Sequence, residues 1–345
     1  MRDLWNYLKS AEKPVVLYGM GNGADKIIAV LESYGVRVSG VFASDDFVRQ
    51  KTFHGFRVTD YATAKNTFGD MIVLLCFGSS LPDVISNIKR IAFEQELYAP
   101  DVPVYGNTLF NAEYALSNKA RLERIYNLLA DDISKKVFYN AVMYKLTGKT
   151  HLLFECETLP DEVYSNVLKL NNSETFFDLG AYRGDTVAEF VSNVSSYGNI
   201  YAVEPDKKTY GKLCAAVQEL KNITCLNACV GSTDGKVNFC MDGSRGSNIS
   251  RCGAEINSVT IDTMAKNYAV PTYIKMDIEG AEASAVAGAA HTVKKFKPKM
   301  QIAAYHRSED LTDIPEKVLA LRDDYKIYLR HFPSLPCWDM SYYFV

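Results

Sequence analysis

"ETFFDLGAYRGDT", residues 174–186, runs an apolar strand into an acidic residue, Asp178, then through Gly180 and Gly184 into the helical pattern of "VAEFVSN", residues 187–193. Strand, glycine turn and helix in that order open a doubly wound α/β sheet. The next strand, "GNIYAVEPD" at 198–206, ends on a second acidic residue, Glu204. Glycines let a ligand approach the backbone, and a carboxylate at the neighbouring strand tip accepts hydrogen bonds from both ribose hydroxyls. The pair predicts an adenosine-bearing ligand.

Three further strands follow in "ITCLNACVGSTDG" (223–235), "TYIKMDIEG" (272–280) and "KMQIAAYHRSED" (299–310). The fourth strand ends in Asp277, Glu279 and Glu282, and His306 stands just beyond the fifth, which should neighbour it. A doubly wound sheet places its site at these carboxyl ends. The chain has no GxxxxGK[ST] phosphate loop. The alanines of "AEASAVAGAA" (281–290) suit a helix held close to a sheet.

The same strand-to-glycine event occurs earlier. "PVVLYGMGNG" (14–23) leads through Gly19, Gly21 and Gly23 into the helical "ADKIIAVLESYG" (24–35), and "VRVSGVFASDD" (36–46) places Asp45 after the next strand. With the strand "DMIVLLCFGSS" (70–80), residues 1–106 read as a Rossmann-like domain. Its GxGxG spacing is looser than the dinucleotide fingerprint, so two readings stay open. Gly19, Gly21, Gly23 and Asp45 either hold a nucleotide or form a tight turn before a solvated acidic loop. Residues 107–172 have apolar residues at helical spacing and read as a helical connector packed on the second domain, with Asp132 or Ser134 capping its second helix. Tyr139, Tyr144 and Tyr164 are candidates there for lining a cleft. Residues 173–345 make the third segment.

Composition bounds the rest. The 345 residues carry a net charge of −3, so no basic surplus points to nucleic acid or an anionic membrane. No apolar run has the length of a membrane span and the start lacks a signal peptide, which predicts a cytoplasmic protein. The eight cysteines include no CxxC pair, so most are expected to be small buried side chains and no structural metal site is predicted. The oligomeric state is open, a homo-oligomer included.

"FFDLGAYRGDT", "YAVEPD", "NACVG", "SVTIDTM" and "IKMDIEGAE", in this order, resemble the FkbM family of S-adenosylmethionine-dependent methyltransferases over residues 174–306. "LLADDISKKVF" (128–138) is similar to the helical segment that precedes the domain in two-domain members. The resemblance implies a class I methyltransferase sheet and S-adenosyl-L-methionine as cofactor, held by Asp178, Gly180, Ala181, Gly184, Glu204, Asn227 and Ala228, with Asp277 near the donor end. It also implies an O-methyltransferase acting on a small molecule, a sugar or glycan precursor. Rivals are N- or C-methylation on the same scaffold and a non-catalytic nucleotide sensor.

Methylating a hydroxyl requires removal of a proton, and Asp277, Glu279 and His306 are the candidate catalytic residues. A base mechanism needs a group titrating near neutrality, for which His306 is suited. A metal mechanism would instead draw Asp277, Glu279, Glu282 and His306 onto one ion. The base route is the one expected, with no metal. "MDGSRGSNISRCG" (241–253), with Arg245 and Arg251, reads as a loop able to close over the acceptor.

Overall fold

The computed structural model describes residues 3–44, 48, 51–240, 248–249 and 254–345; Asp45 and residues 241–247 and 250–253, with Arg245 and Arg251, lie outside them. The first sheet is built from β1 (Val15–Tyr18), β2 (Val38–Phe42), β3 (Thr52–Phe53), β4 (Phe56–Thr59), β5 (Ile72–Leu75) and β6 (Glu96–Tyr98), in the order β3-β4-β2-β1-β5-β6. All pairings but β3–β4 are parallel. The buried runs "VVLY" and "IVLL" explain why: parallel strands are covered on both faces, so their sequences do not alternate.

The second sheet contains β7 (Thr175–Leu179), β8 (Asn199–Val203) and β9 (Ile223–Leu226). A smaller four-stranded sheet follows, made of β10 (Cys229–Val230), β11 (Gly235–Cys240), β12 (Asn248–Ile249) and β13 (Ala254–Val259). β14 (Tyr273–Met276), β15 (Lys299–Ala303), β16 (Ile327–His331) and β17 (Met340–Phe344) complete the second sheet, ordered β16-β17-β15-β14-β7-β8-β9. Its chain order reverses between β7 and β14, which are parallel neighbours, and this opens the crevice in which such sheets bind ligands. β17 runs antiparallel to both β15 and β16. Phe176 stacks on Phe190 and Tyr273 at 4.6 and 4.7 Å between ring centroids, filling the layer beneath the crevice.

The connecting helices latch the second sheet to the first. Helix Asp132–Thr147 is capped by Asp131, whose carboxylate accepts from the Ser134 N–H at 2.8 Å, and not by Asp132 or Ser134. Arg330 on β16 is buried and donates to Asp131 at 2.7 Å and to Glu162 at 2.9 Å. At the other end of the helix, Lys145 meets Asp101 at 3.1 Å in the interior. Tyr144 is core, Tyr139 is exposed and Tyr164 packs against buried residues of the second sheet, so the cleft expected of these tyrosines is not where they stand. Hydrophobic packing runs continuously from Tyr18 and Phe42 through Phe110 and Phe138 to Phe177 and Tyr342. Among the described residues, no helix is long and apolar enough to cross a membrane.

In the first sheet packing requires two of the turn's three glycines. A Cβ on Gly19 would press on the Phe77 ring, and one on Gly23 on the Cys76 carbonyl. Gly21 has φ +94° and supplies the backbone that starts helix Asn22–Ser33.

Candidate functional site

Two turns meet at the crevice. Gly180, after β7, has φ +83°, and a Cβ there would collide with the carbonyl oxygen of Asp277 after β14. Only glycine lets the two strand ends approach so closely. The N–H groups of Gly180 and Ala181 both donate to Val203 O at 3.0 Å, fastening this turn to β8. Each turn also holds a non-glycine residue in the left-handed region, Tyr182 at φ +47° and Glu279 at φ +55°, a conformation that costs on the order of 1–3 kcal/mol and tends to persist at working sites.

Between the turns lies a cavity of about 440 Å³, within the usual range for small-molecule sites. Its walls come from the ends of β7, β8, β14 and β15, from Ala228–Val230, from the β16–β17 connection and from Tyr105, which follows the first sheet. Tyr105 is placed by its N–H, which donates to His306 O at 2.8 Å. The N-terminal half therefore contributes to the cavity's wall.

Glu204 stands at the β8 tip. One carboxylate oxygen accepts from the Tyr182 N–H at 3.0 Å and the other from the Asp206 N–H at 2.8 Å, while the side chain lines the cavity. Burial pushes its pKa up to about 7 against the pull of those two N–H donors. Asn227 lies behind it, donating to the carbonyls of Glu204 and Pro205 at 2.9 Å each. Asp178 is fully buried under the floor, its pKa lifted to about 6 by burial while the Lys275 ammonium, 3.7 Å away, draws it back. Lys275 also stands 3.8 Å from Asp277 and donates to Thr186 at 3.1 Å.

Asp277 and Glu279 face the cavity, and Tyr305 donates its hydroxyl to Asp277 at 3.0 Å. Beneath them His306 is completely buried. Its Nδ1 is 3.0 Å from Glu282 Oε1, and its Nε2 is 3.4 Å from Asp277 and 3.5 Å from Glu279. These are charge contacts, since neither ring nitrogen has an aligned hydrogen bond. Burial alone would lower the imidazole pKa, but the three carboxylates, Glu282 foremost, prevail and push it up to about 10. Glu282 is held by the Ile278 N–H at 2.8 Å.

The expectation is a base that takes a proton near pH 7; His306 does not line the cavity, and its raised pKa favours the protonated form at that pH. Donor atoms of Asp277, Glu282 and His306 lie within 4.8 Å of one another and so could approach one ion. A protonated imidazole would supply positive charge to the same carboxylates.

The FkbM methyltransferase domain matches residues 178–326. These residues form an FkbM methyltransferase domain. The solved methyltransferase FkbM from Methylobacillus flagellatus KT superimposes with a TM-score of 0.74 at 23% identity, covering 96% of this chain and 90% of that one, so the fold is shared across both sheets. Precorrin-6y C5,15-methyltransferase from Geobacter metallireducens GS-15 (TM-score 0.34, 12% identity, 51% of this chain and 81% of that one) overlaps only loosely. So does Aeropyrum pernix fibrillarin in complex with S-adenosyl-L-methionine (0.34, 14%, 51% and 67%). At those scores neither carries an argument. A comparison with curated proteins gave no match.

Of the residues singled out from the methyltransferase sequence, Gly180, Glu204, Ala228, Asp277 and Glu279 border one cavity. Asp178, Ala181, Gly184, Asn227 and His306 shape it from behind. Gly184 has φ +89° and faces Leu213 and Val217, a packing role. Lys275, Tyr182, Tyr305, Arg307 and Tyr105 were not singled out. Lys275 had one signal, a lysine in an otherwise apolar buried strand, which demands a buried counter-charge.

Proposed function

We propose that this methyltransferase moves the methyl group of S-adenosylmethionine to a hydroxyl of a sugar or glycan precursor. The observation that carries the cofactor assignment is the Glu204 carboxylate, fixed by two backbone N–H groups at a strand tip and turned onto a cavity that the adjoining Gly180 turn also borders. Such a carboxylate suits two vicinal ribose hydroxyls. The cavity's carboxylates also complement a sulfonium and an ammonium group. When bound, the cofactor supplies an electrophilic methyl group in the form of a sulfonium.

The chain's own residues then have two tasks. One is alignment, worth on the order of 7–11 kcal/mol in well-oriented models. The other is holding the hydroxyl proton. Asp277 and Glu279 are the carboxylates that face the space beside the donor end, and buried His306, protonated, fixes and neutralises them from below. His306 is thus a positioning residue. The acceptor end carries aromatic faces, Tyr105 and Phe332, alternating with Gln301, Asp339 and Ser341, a mixture suited to a sugar's apolar faces and hydroxyls.

The test is calorimetric titration with S-adenosylmethionine, followed by mass spectrometry of sugar precursors incubated with the enzyme and a deuterated methyl donor. Binding plus a deuteromethyl ether on a sugar hydroxyl is expected. Binding with label found only on nitrogen or carbon would replace the acceptor assignment. An absence of binding would overturn the cofactor assignment.

A further inference from the structure

Seven carboxylates line the cavity, and Lys275 and Arg307 are the two cations among its described lining residues. Lys275 is already engaged by Asp178, Asp277 and Thr186. Arg307 is differently placed. Its Nε donates to Gly280 O at 2.8 Å and its guanidinium lies 4.2 Å over the Tyr105 ring. Its Nη1 passes Gly106, where a Cβ would approach it to 3.4 Å. These three contacts fix the plane of the guanidinium and consume only the Nε hydrogen. The Nη1 and Nη2 edge has neither a hydrogen-bond acceptor nor a carboxylate partner among the described residues.

We infer that Arg307 is an anion-recognition site at the acceptor end, so that the acceptor of this methyltransferase carries a phosphate or carboxylate group beside its hydroxyl. An arginine held flat on an aromatic ring with its outer edge free is arranged for two parallel N–H···O bonds to a planar or tetrahedral oxyanion. A cavity this acidic repels an anionic acceptor unless one oriented cation receives it. Among the described lining residues, Arg307 is the cation left for that task. The distance in fold from Glu204 places it away from the ribose: it follows β15, on the far side of β14 from β7 and β8. The Tyr105 platform comes from outside the 178–326 domain, so the N-terminal half helps set acceptor choice.

This inference rests on the cofactor assignment above, and the experiment separates the two. S-adenosylhomocysteine is titrated first, into wild type, Arg307→Gln and Arg307→Lys. The protein saturated with it is then titrated with glucose 1-phosphate, glucuronate and glucose. Wild type is expected to bind one or both charged sugars at least tenfold more tightly than glucose, and which of the two binds better distinguishes phosphate from carboxylate. Arg307→Gln should lose that preference while keeping its affinity for S-adenosylhomocysteine, and Arg307→Lys should keep part of it. Equal binding of charged and neutral sugars by wild type overturns the inference whatever the variants do, as does no binding of either charged sugar. A preference that survives Arg307→Gln also overturns it. If Arg307→Gln instead weakens S-adenosylhomocysteine tenfold, the arginine serves the cofactor's own carboxylate and the inference falls, whereas wild type that fails to bind S-adenosylhomocysteine at all removes the cofactor assignment.

Discussion

Nδ1 of His306 and Oε1 of Glu282 stand 3.0 Å apart, with both side chains only 1% exposed. A buried imidazolium thus faces a buried carboxylate, with Asp277 and Glu279 on its other side and Asp310 close by. Removing one member of such a cluster leaves uncompensated charge, which typically costs about 3–5 kcal/mol. His306→Gln should therefore lose stability of that order at pH 7 in urea unfolding. Because the folded pKa is raised from 6.5 to about 10, the stabilisation is fully present below pH 6.5 and is lost as pH rises through about 10. The gap between wild type and variant should accordingly narrow in alkali. A variant as stable as wild type at pH 7 would contradict a charged His306.

Glu204 titrates in the opposite sense for binding. Burial raises its pKa to about 7, and ribose hydroxyls donate to the ionised form. Affinity for S-adenosylmethionine should rise with pH from 6 to 8 and fall away below 7. Glu204→Gln should weaken binding by about 1.5–3 kcal/mol, the range for a charged hydrogen bond, and flatten the pH dependence. Calorimetry at the two pH values decides it, and an unchanged slope in the variant would take Glu204 away from the cofactor.

Proton removal can be divided between two carboxylates by single-turnover kinetics at saturating cofactor. Asp277→Asn or Glu279→Gln, whichever removes the acceptor of the proton, should slow methyl transfer by ~10²- to 10⁴-fold while cofactor affinity survives. Full rates in both variants would leave the hydroxyl proton without a protein acceptor.

Treatment with EDTA should leave the single-turnover rate unchanged. A divalent ion drawing on Asp277, Glu282 and His306 would have to displace the imidazole proton and reach Glu282, which is buried away from the cavity. Activity abolished by the chelator and restored by Mg²⁺ would reassign these three side chains as ligands.

The main strands of the second sheet and the position of its site were legible because each rests on a local pattern. Buried parallel strands show as unbroken apolar runs, as in "TFF" and "YI", and site carboxylates stand where those runs stop. What escaped depends on distance in three dimensions. The state of His306 follows from Glu282, twenty-four positions earlier in the chain, facing its ring nitrogen, and no spacing rule gives that contact. Tyr105 is held at the cavity by a backbone bond to His306 and by its ring's contact with Arg307, again invisible locally. Of the small sheet, β10 fell within the stretch read as the third strand and the rest was not read as strand, since short strands have little periodicity. The capping residue was misplaced by one because Asp131 and Asp132 are equivalent in sequence and differ only in backbone conformation.

Gly180 and Gly184 occupy the same turn, yet substitution should separate them. Both have positive φ, +83° and +89°, so alanine costs on the order of 1–2 kcal/mol at either through backbone strain alone. At Gly184 the added Cβ meets Val217 Cγ1 at 3.2 Å and Leu213 Cδ1 at 3.3 Å, side-chain atoms that can shift slightly. At Gly180 it meets the Asp277 carbonyl, and that segment is itself tied down by the Asp277 N–H donating to Leu179 O at 3.0 Å. Relief requires parting β7 from β14 at the crevice, which adds about 1–3 kcal/mol of overpacking and displaces Asp277 from the donor end. Gly180→Ala should thus lose roughly 2–5 kcal/mol in urea unfolding and lose cofactor binding, whereas Gly184→Ala should lose stability alone. Equal cofactor affinity in the two variants would mean that the close approach of these turns does not shape the site.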